Sequence, residues 1–200
     1  MNFITIRFFV SIFLIFHIFS FGQNLRPNES LLTMSESQYI YHIKLRQKIL
    51  NENFYNTHLT LVVLPSFDPE YALRIIQKNE NYFGVVTTTN ENIWYSEDYD
   101  NLKLISFLLP IKSNDAQLLI KSSDKVLLKT KYTDSPNFAV DGVRYILGNS
   151  SKSGTFRTGD RFKSFELIKI LEEIIDKAFE GIEFNLNNDQ IEYLNSIIAE

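Results

Sequence analysis

Three apolar runs rich in β-branched and aromatic residues, Leu59–Leu64, Tyr71–Gln77 and Tyr82–Thr89, follow one another with only short polar breaks between them. Strand-forming residues bounded by turn formers read as strands. Pro65-Ser66 ends the first run and Pro69 precedes the second. Lys78-Asn79-Glu80-Asn81 then makes a polar hairpin loop to the third. So short a connection joins antiparallel neighbours. After the loop Asn90-Glu91-Asn92, Ile93-Trp94-Tyr95-Ser96 is a fourth candidate, so the middle of the chain reads as an antiparallel meander of three or four strands. Glu70–Gln77 also fits two helical turns; the strand reading is preferred.

Helices flank this meander. Ser35 or Ser37 is placed to cap a helix running to about Leu50, with Ile40, Ile43 and Leu50 on its apolar stripe and Tyr39 and Ile49 beside them. Lys103–Ile111 is strand-like and closed by Pro110; Asn114 or Ser113 is placed to cap a helix in which Ala116, Leu119, Val126, Leu127 and Thr130 repeat near the helical period. Val143–Leu147 reads as a strand, and Asn149–Gly159 as a Gly/Ser/Thr-rich loop. The clearest helix spans about Phe162–Phe179, with Leu167, Ile168, Leu171, Ile174, Ile175 and Ala178 on one face and Gly181 as its stop. Asn188 is placed to cap a last short helix. The expected class is therefore α+β, an antiparallel meander with helices packed on one face. Alternating β-α-β units with Gly-rich turns are missing, which counts against a doubly wound sheet.

The N-terminus reads as an address. Arg7 supplies a positive n-region, Phe8–Phe19 a short apolar core, and Ser20 and Gly22 the small residues before a cut ahead of Gln23. That is the layout of a cleavable signal peptide over residues 1–22. The apolar core falls short of the roughly 20 residues a spanning helix needs. An uncleaved signal anchor, with His17 tolerated in the membrane, is the alternative. Residues 23–34 read as a flexible lead and 35–200 as a single domain. Loss of residues 1–22 removes Arg7, leaves 178 residues, and moves the formal charge from −4 to −5. No membrane span is expected after cleavage. Export without a single cysteine points to a bacterial envelope or secreted protein, periplasmic or released, because small secreted domains elsewhere lean on disulfides.

Composition mainly excludes. The lack of Cys removes thiol catalysis, Cys-ligated zinc and iron–sulfur clusters. The acidic balance argues against nucleic acid as a partner. The mature chain keeps only His42 and His58, in neither of the zinc spacings H-x-x-x-H and H-E-x-x-H, so no metal or other cofactor is expected. Gly154 to Gly159 has the spacing of a phosphate loop, but Asp160 and Arg161 stand where Lys and Ser/Thr belong, and the carboxylate would repel a phosphate. Asp160 is expected to cap the following helix and complement its dipole, with Arg157 and Arg161 solvated; an anion or partner contact by these two arginines is the alternative. Trp94, Tyr95 and the nearby Tyr82 are candidates for an aromatic platform on the sheet face away from the helices; a lone Trp on a strand also serves core packing.

Two stretches carry a resemblance. SFDPEYALRI (66–75) followed by NIWYS (92–96), and DGVRYIL (141–147) followed by a Gly/Ser/Thr loop and a helix ending ELIKILEEII (166–175), together resemble a group of small uncharacterised exported proteins of Bacteroidota-type bacteria. The resemblance covers about residues 60–180. It implies a similar fold and no catalytic residues.

The reading that follows is a non-enzymatic envelope accessory or interaction module, partnered by another envelope or secreted protein. Its candidate binding residues are Tyr82, Trp94, Tyr95, Arg157 and Arg161. Two alternatives stand beside it. One is an exported hydrolase built on Asp68, Glu70, His58 or Asp141. The other is a small immunity- or inhibitor-type protein whose acidic charge suits a basic partner.

Overall fold

The computed structural model describes residues 25–27, 35–50, 57–130, 142–157 and 164–200. The expected signal segment 1–22, most of the lead 23–34, and Asp141, Asp160 and Arg161 lie outside them. The elements run β1 (Arg26–Pro27), α1 (Glu36–Leu45), β2 (Thr57–Leu64), β3 (Tyr71–Lys78), β4 (Asn81–Thr89), β5 (Leu104–Ile111), α2 (Ser113–Leu128), β6 (Arg144–Gly148), β7 (Ser153–Arg157), α3 (Phe165–Glu180) and α4 (Asn188–Ala199). Among the described residues the strands form one antiparallel sheet of order β1-β7-β6-β2-β3-β4-β5. The architecture is α+β, and β2 to β5 are the meander.

Side-chain alternation along β2 explains the layers. Leu59, Leu61 and Val63 point into a large core shared with α2, α3 and α4. Val62 and Leu64 point the other way, into a smaller core with Leu45, Ile49 and Leu50 from the end of α1. A strand buried on both faces reads as a continuous apolar run, which is why Leu59–Leu64 stands out in the sequence. Three helices thus cover one face, and α1 covers part of the other.

The seven buried residues of α3, Leu167, Ile168, Ile170, Leu171, Ile174, Ile175 and Ala178, are the main apolar contribution to the large core. Each large one is worth about 1.5–3 kcal/mol in area removed from water. The helix stops at Gly181, whose φ of 69° is left-handed. There the Ile182 N–H donates to the Lys177 carbonyl (2.9 Å) and the Gly181 N–H to that of Ala178 (3.3 Å), the paired bonds of a Schellman end. Opposite α3, Gly84 of β4 leaves room for close approach. A Cβ there would lie 3.2 Å from Ile111 Cδ1 and 3.3 Å from Ile174 Cγ2.

Six local expectations need correction. Helix α2 starts after Lys112 with no side-chain cap, so neither Ser113 nor Asn114 caps it. Asn187, one residue before Asn188, caps α4, its Oδ1 accepting from the Gln190 N–H (2.9 Å). Ser35 caps α1 in a reciprocal box with Gln38, but the helix widens into a π turn over Arg46–Leu50. That shift puts Leu45, Ile49 and Leu50 inward and leaves Tyr39 and Ile40 exposed. The β3–β4 turn tightens to Asn79-Glu80, because Lys78 and Asn81 already pair and Asn79 adopts a left-handed φ of 58°. A strand, β7, runs through the Gly/Ser/Thr-rich stretch; the Asn149 Oδ1 organises its hairpin by accepting from the Ser151 and Lys152 N–H groups (2.9 and 2.8 Å). Ile93–Ser96 is a loop rather than a strand. Its Ile93 N–H donates to Glu70 Oε2 (2.7 Å), and those of Trp94 and Tyr95 to Asn92 Oδ1 (2.9 and 3.2 Å). Donors that a ladder would use are taken by side chains.

A candidate binding cleft

At one end of the sheet β2 finishes, β3 begins, β6 begins and β7 finishes. The neighbouring loops 65–70 and 90–98 and the flank of α1 rise around these strand ends and enclose a cleft of about 410 Å³. Its lining draws on Tyr41 and His42 of α1, Phe67 and Glu70 of the first loop, Trp94 and Tyr95 of the second, and Arg144 and Arg157 of the strands.

Glu70 is the anchor. Its side chain is fully buried, yet both oxygens have donors: Tyr41 Oη to Oε1 at 2.8 Å and the Ile93 N–H to Oε2 at 2.7 Å. A buried carboxylate is tolerated only when it is satisfied in this way. One side chain thereby ties α1 to the Trp94 loop. Burial, reinforced by the charge of Glu70 and the hydrogen bond to it, pushes the Tyr41 hydroxyl far above the usual phenol range, with Arg144 acting the other way. Tyr41 is therefore protonated, and a hydrogen-bond donor, at neutral pH. Two further ties fix the loops. Asn92 Nδ2 donates to the Asp68 carbonyl (2.7 Å), and Ser66 Oγ donates to the Gly142 carbonyl (2.8 Å).

The rings form the rim. Trp94 meets Tyr41 edge to face, with centroids 4.9 Å apart, and Phe67 lies parallel to Tyr95 at 6.4 Å and 8°. Such pairs contribute about 0.5–1.5 kcal/mol beyond area burial. They nevertheless leave much of each ring in solvent: Phe67 is 72% exposed, Tyr95 59% and Trp94 46%. The floor is cationic. Arg144 and Arg157 are directly opposite partners on β6 and β7, so their side chains share one face, and Arg144 Nε donates to Thr155 Oγ1 (3.2 Å).

Three of the five residues singled out from sequence, Trp94, Tyr95 and Arg157, meet in this cleft. Arg161 lies outside the described residues. Tyr82 is elsewhere: it sits at the far end of β4, opposite Ile111, and packs against the large core on the helix-covered face, with its ring 6.0 Å from His58. The alternation of β4 puts it there, so it shares no platform with Trp94. Of the acids and histidines considered for hydrolysis, Glu70 alone lines the cleft among the described residues; His58 is beside Tyr82, and Asp141 is not described. Tyr41, Phe67 and Arg144 were not anticipated. Phe67 offers a signal, an aromatic inside the turn Ser66-Phe67-Asp68-Pro69, whereas Arg144 becomes visible only once the β6–β7 register is known.

Among the described residues no group of His, Cys, Asp and Glu is arranged to hold a metal ion, and no helix is long and apolar enough to cross a membrane. No family model matches the chain, and neither a curated protein nor a solved structure matches it.

Proposed function

We propose that this chain is an exported bacterial protein that acts as a binding module of the envelope, with its ligand seated in the cleft. The observation that carries the reading is the joint presence of three exposed rings and two guanidiniums around one concave site. Apolar faces with a few convergent polar groups are the usual make-up of a ligand site. Binding is favoured over hydrolysis because Glu70, the one carboxylate among the described lining residues, has both oxygens engaged by Tyr41 and Ile93, which suits a structural tie. Acid–base hydrolysis of glycosides ordinarily takes a pair of carboxylates across the cleft. Export rests on Arg7, the apolar Phe8–Phe19 and the small residues Ser20 and Gly22.

Trp94 is the single tryptophan of the chain, so emission excited at wavelengths that tyrosine does not absorb reports on this cleft. A screen of soluble envelope components, sugars, peptides and small anions should yield a compound that shifts Trp94 emission in the parent protein and fails to do so in a Phe67→Ala/Tyr95→Ala variant of unchanged melting temperature. A ligand whose binding survives that double substitution would place function elsewhere on the molecule.

A further inference from the structure

We infer that this protein forms a two-fold dimer by pairing strand β5 with β5 of a second copy. The two edges of the sheet differ. Among the described strands one edge is β1, two residues long, Arg26-Pro27. Shortness, charge and proline are the usual guards of a sheet edge. The other edge is β5, eight residues of sequence Leu-Ile-Ser-Phe-Leu-Leu-Pro-Ile, with no charge and an unbroken register against β4. A long, flat, apolar edge is a template for another strand.

The register fixes which backbone groups this edge offers. Just before β5, Lys103 turns both of its backbone groups toward Asn90: its carbonyl accepts from the Asn90 N–H (3.2 Å) and its N–H donates to Asn90 Oδ1 (2.7 Å). Along an antiparallel ladder that direction alternates residue by residue. Ile105, Phe107 and Leu109 therefore address β4, and Leu104, Ser106 and Leu108 address the open side. Pro110 belongs to the outward set, where its missing N–H breaks no ladder bond. The outward donors read Leu-Ser-Leu in either direction, as a two-fold axis requires. An axis through Ser106 pairs that residue with its own copy and Leu104 with Leu108 of the second copy. Each outward N–H then meets an outward carbonyl, and leucine lies across from leucine on the same face. An unlike strand would gain the backbone bonds without that match.

The side chains agree. Leu104, Ile105 and Leu108 are 46%, 40% and 63% exposed, and Phe179 of α3, which meets Phe107 edge to face at 5.1 Å, is 43% exposed. Ile105 and Phe107 lie on the helix-covered face, where the same axis sets each Ile105 across from a Phe107. The four exposed side chains leave roughly 400 Å² in solvent per copy, the size of a functional apolar patch. Two copies bring about twice that, and the backbone, Ser106 and Pro110 add to it, toward the ~1,200 Å² at which stable interfaces begin. None of these residues lines the cleft. The short β1 edge gives a third copy no strand to extend, so the assembly closes at two.

The test measures the solution mass of the chain purified from its native host, with the intact mass of the denatured protein fixing the protomer. Sedimentation equilibrium should give twice that mass, falling on dilution. Leu108→Lys should raise the dissociation constant about tenfold or more, because the ammonium loses water against Leu104 of the second copy. An unchanged circular dichroism spectrum shows that the exposed position tolerates the change. The chain has no cysteine, so a single introduced thiol reports the register. Under mild oxidation Ser106→Cys should cross-link to a dimer, with about 5.5 Å between the two Cα atoms. Leu104→Cys, which the register sets roughly 13 Å from its own copy, should not. A chain that is monomeric at every concentration overturns the inference. So does a dimer that Leu108→Lys leaves intact, or one in which Leu104→Cys cross-links as readily as Ser106→Cys. If the native chain instead carries an unlike protein that Leu108→Lys releases, the edge takes a foreign strand and self-pairing fails.

Discussion

Tyr41 and Glu70 are joined by a 2.8 Å hydrogen bond that links the middle of α1 to the entrance of β3, with the carboxylate fully shielded from water. Tyr41→Phe keeps the ring against Trp94 and removes only the donor. Loss of a hydrogen bond to a buried charged group costs about 1–3 kcal/mol. Urea unfolding should register that loss, whereas Tyr39→Phe, on the exposed side of the same helix, should stay within about 0.5 kcal/mol of the parent. Equal midpoints for the two variants would mean that the bond adds nothing.

Leu171 lies fully buried on α3, against the sheet. Leu171→Asp places a charge there without a partner, at a cost of several kcal/mol, comparable with the whole stability of a domain. The variant should fail to give a cooperative melt. Near-parental melting would show that the α3 stripe is not packed as described.

Glu172, on the same helix, accepts a hydrogen bond from Tyr145 Oη (3.0 Å). Burial raises its pKa, the Tyr145 bond opposes that shift, and the neighbouring Asp176 adds to it. The folded state therefore holds this proton more tightly than the unfolded chain does. Its contribution to stability is complete below the ordinary glutamate value and is lost as pH rises through the raised one. Glu172→Gln, which still accepts from Tyr145, should melt above the parent at pH 7, and the gap should close by about pH 4. A gap independent of pH would assign the effect to something other than ionisation.

Export predicts a mature N-terminus at Gln23 in a soluble envelope or secreted fraction. Gly22→Leu puts a bulky side chain where the peptidase requires a small one. It should leave a membrane-bound precursor heavier by residues 1–22. Intact-mass measurement of protein from the native host decides between this outcome and an uncleaved anchor. Full-length chain in the cytosol would defeat the export reading.

What could be read from sequence follows how local each determinant is. The α3 stripe and its Gly181 stop are set within one helix, and both stand where periodicity puts them. The run Leu59–Leu64 announced a central strand because both of its faces are covered. The Trp94 segment misled because its strand propensity is overruled by Asn92, two residues before Trp94, and by Glu70, more distant in the chain. Strand β7 hid in polar residues whose pairing depends on β6. The meeting of Trp94 and Tyr95 with Arg157 was invisible for the same reason: it depends on the strand order β7-β6-β2-β3-β4, which no local pattern encodes.

That strand order also bears on how the protein is made. Strand β2 pairs on one side with β3, its immediate successor, and on the other with β6, after residues 65–143 have intervened. A chain emerging N-terminus first can complete the meander through β5 while the second edge of β2 still waits for its partner. During that interval the exposed backbone belongs to Leu59–Leu64, among the most apolar strands of the sheet, and bare apolar edges template aggregation. Nascent chains interrupted after α2 are thus the ones that carry this edge bare, and β6 and β7 act, in effect, as its late-arriving cover.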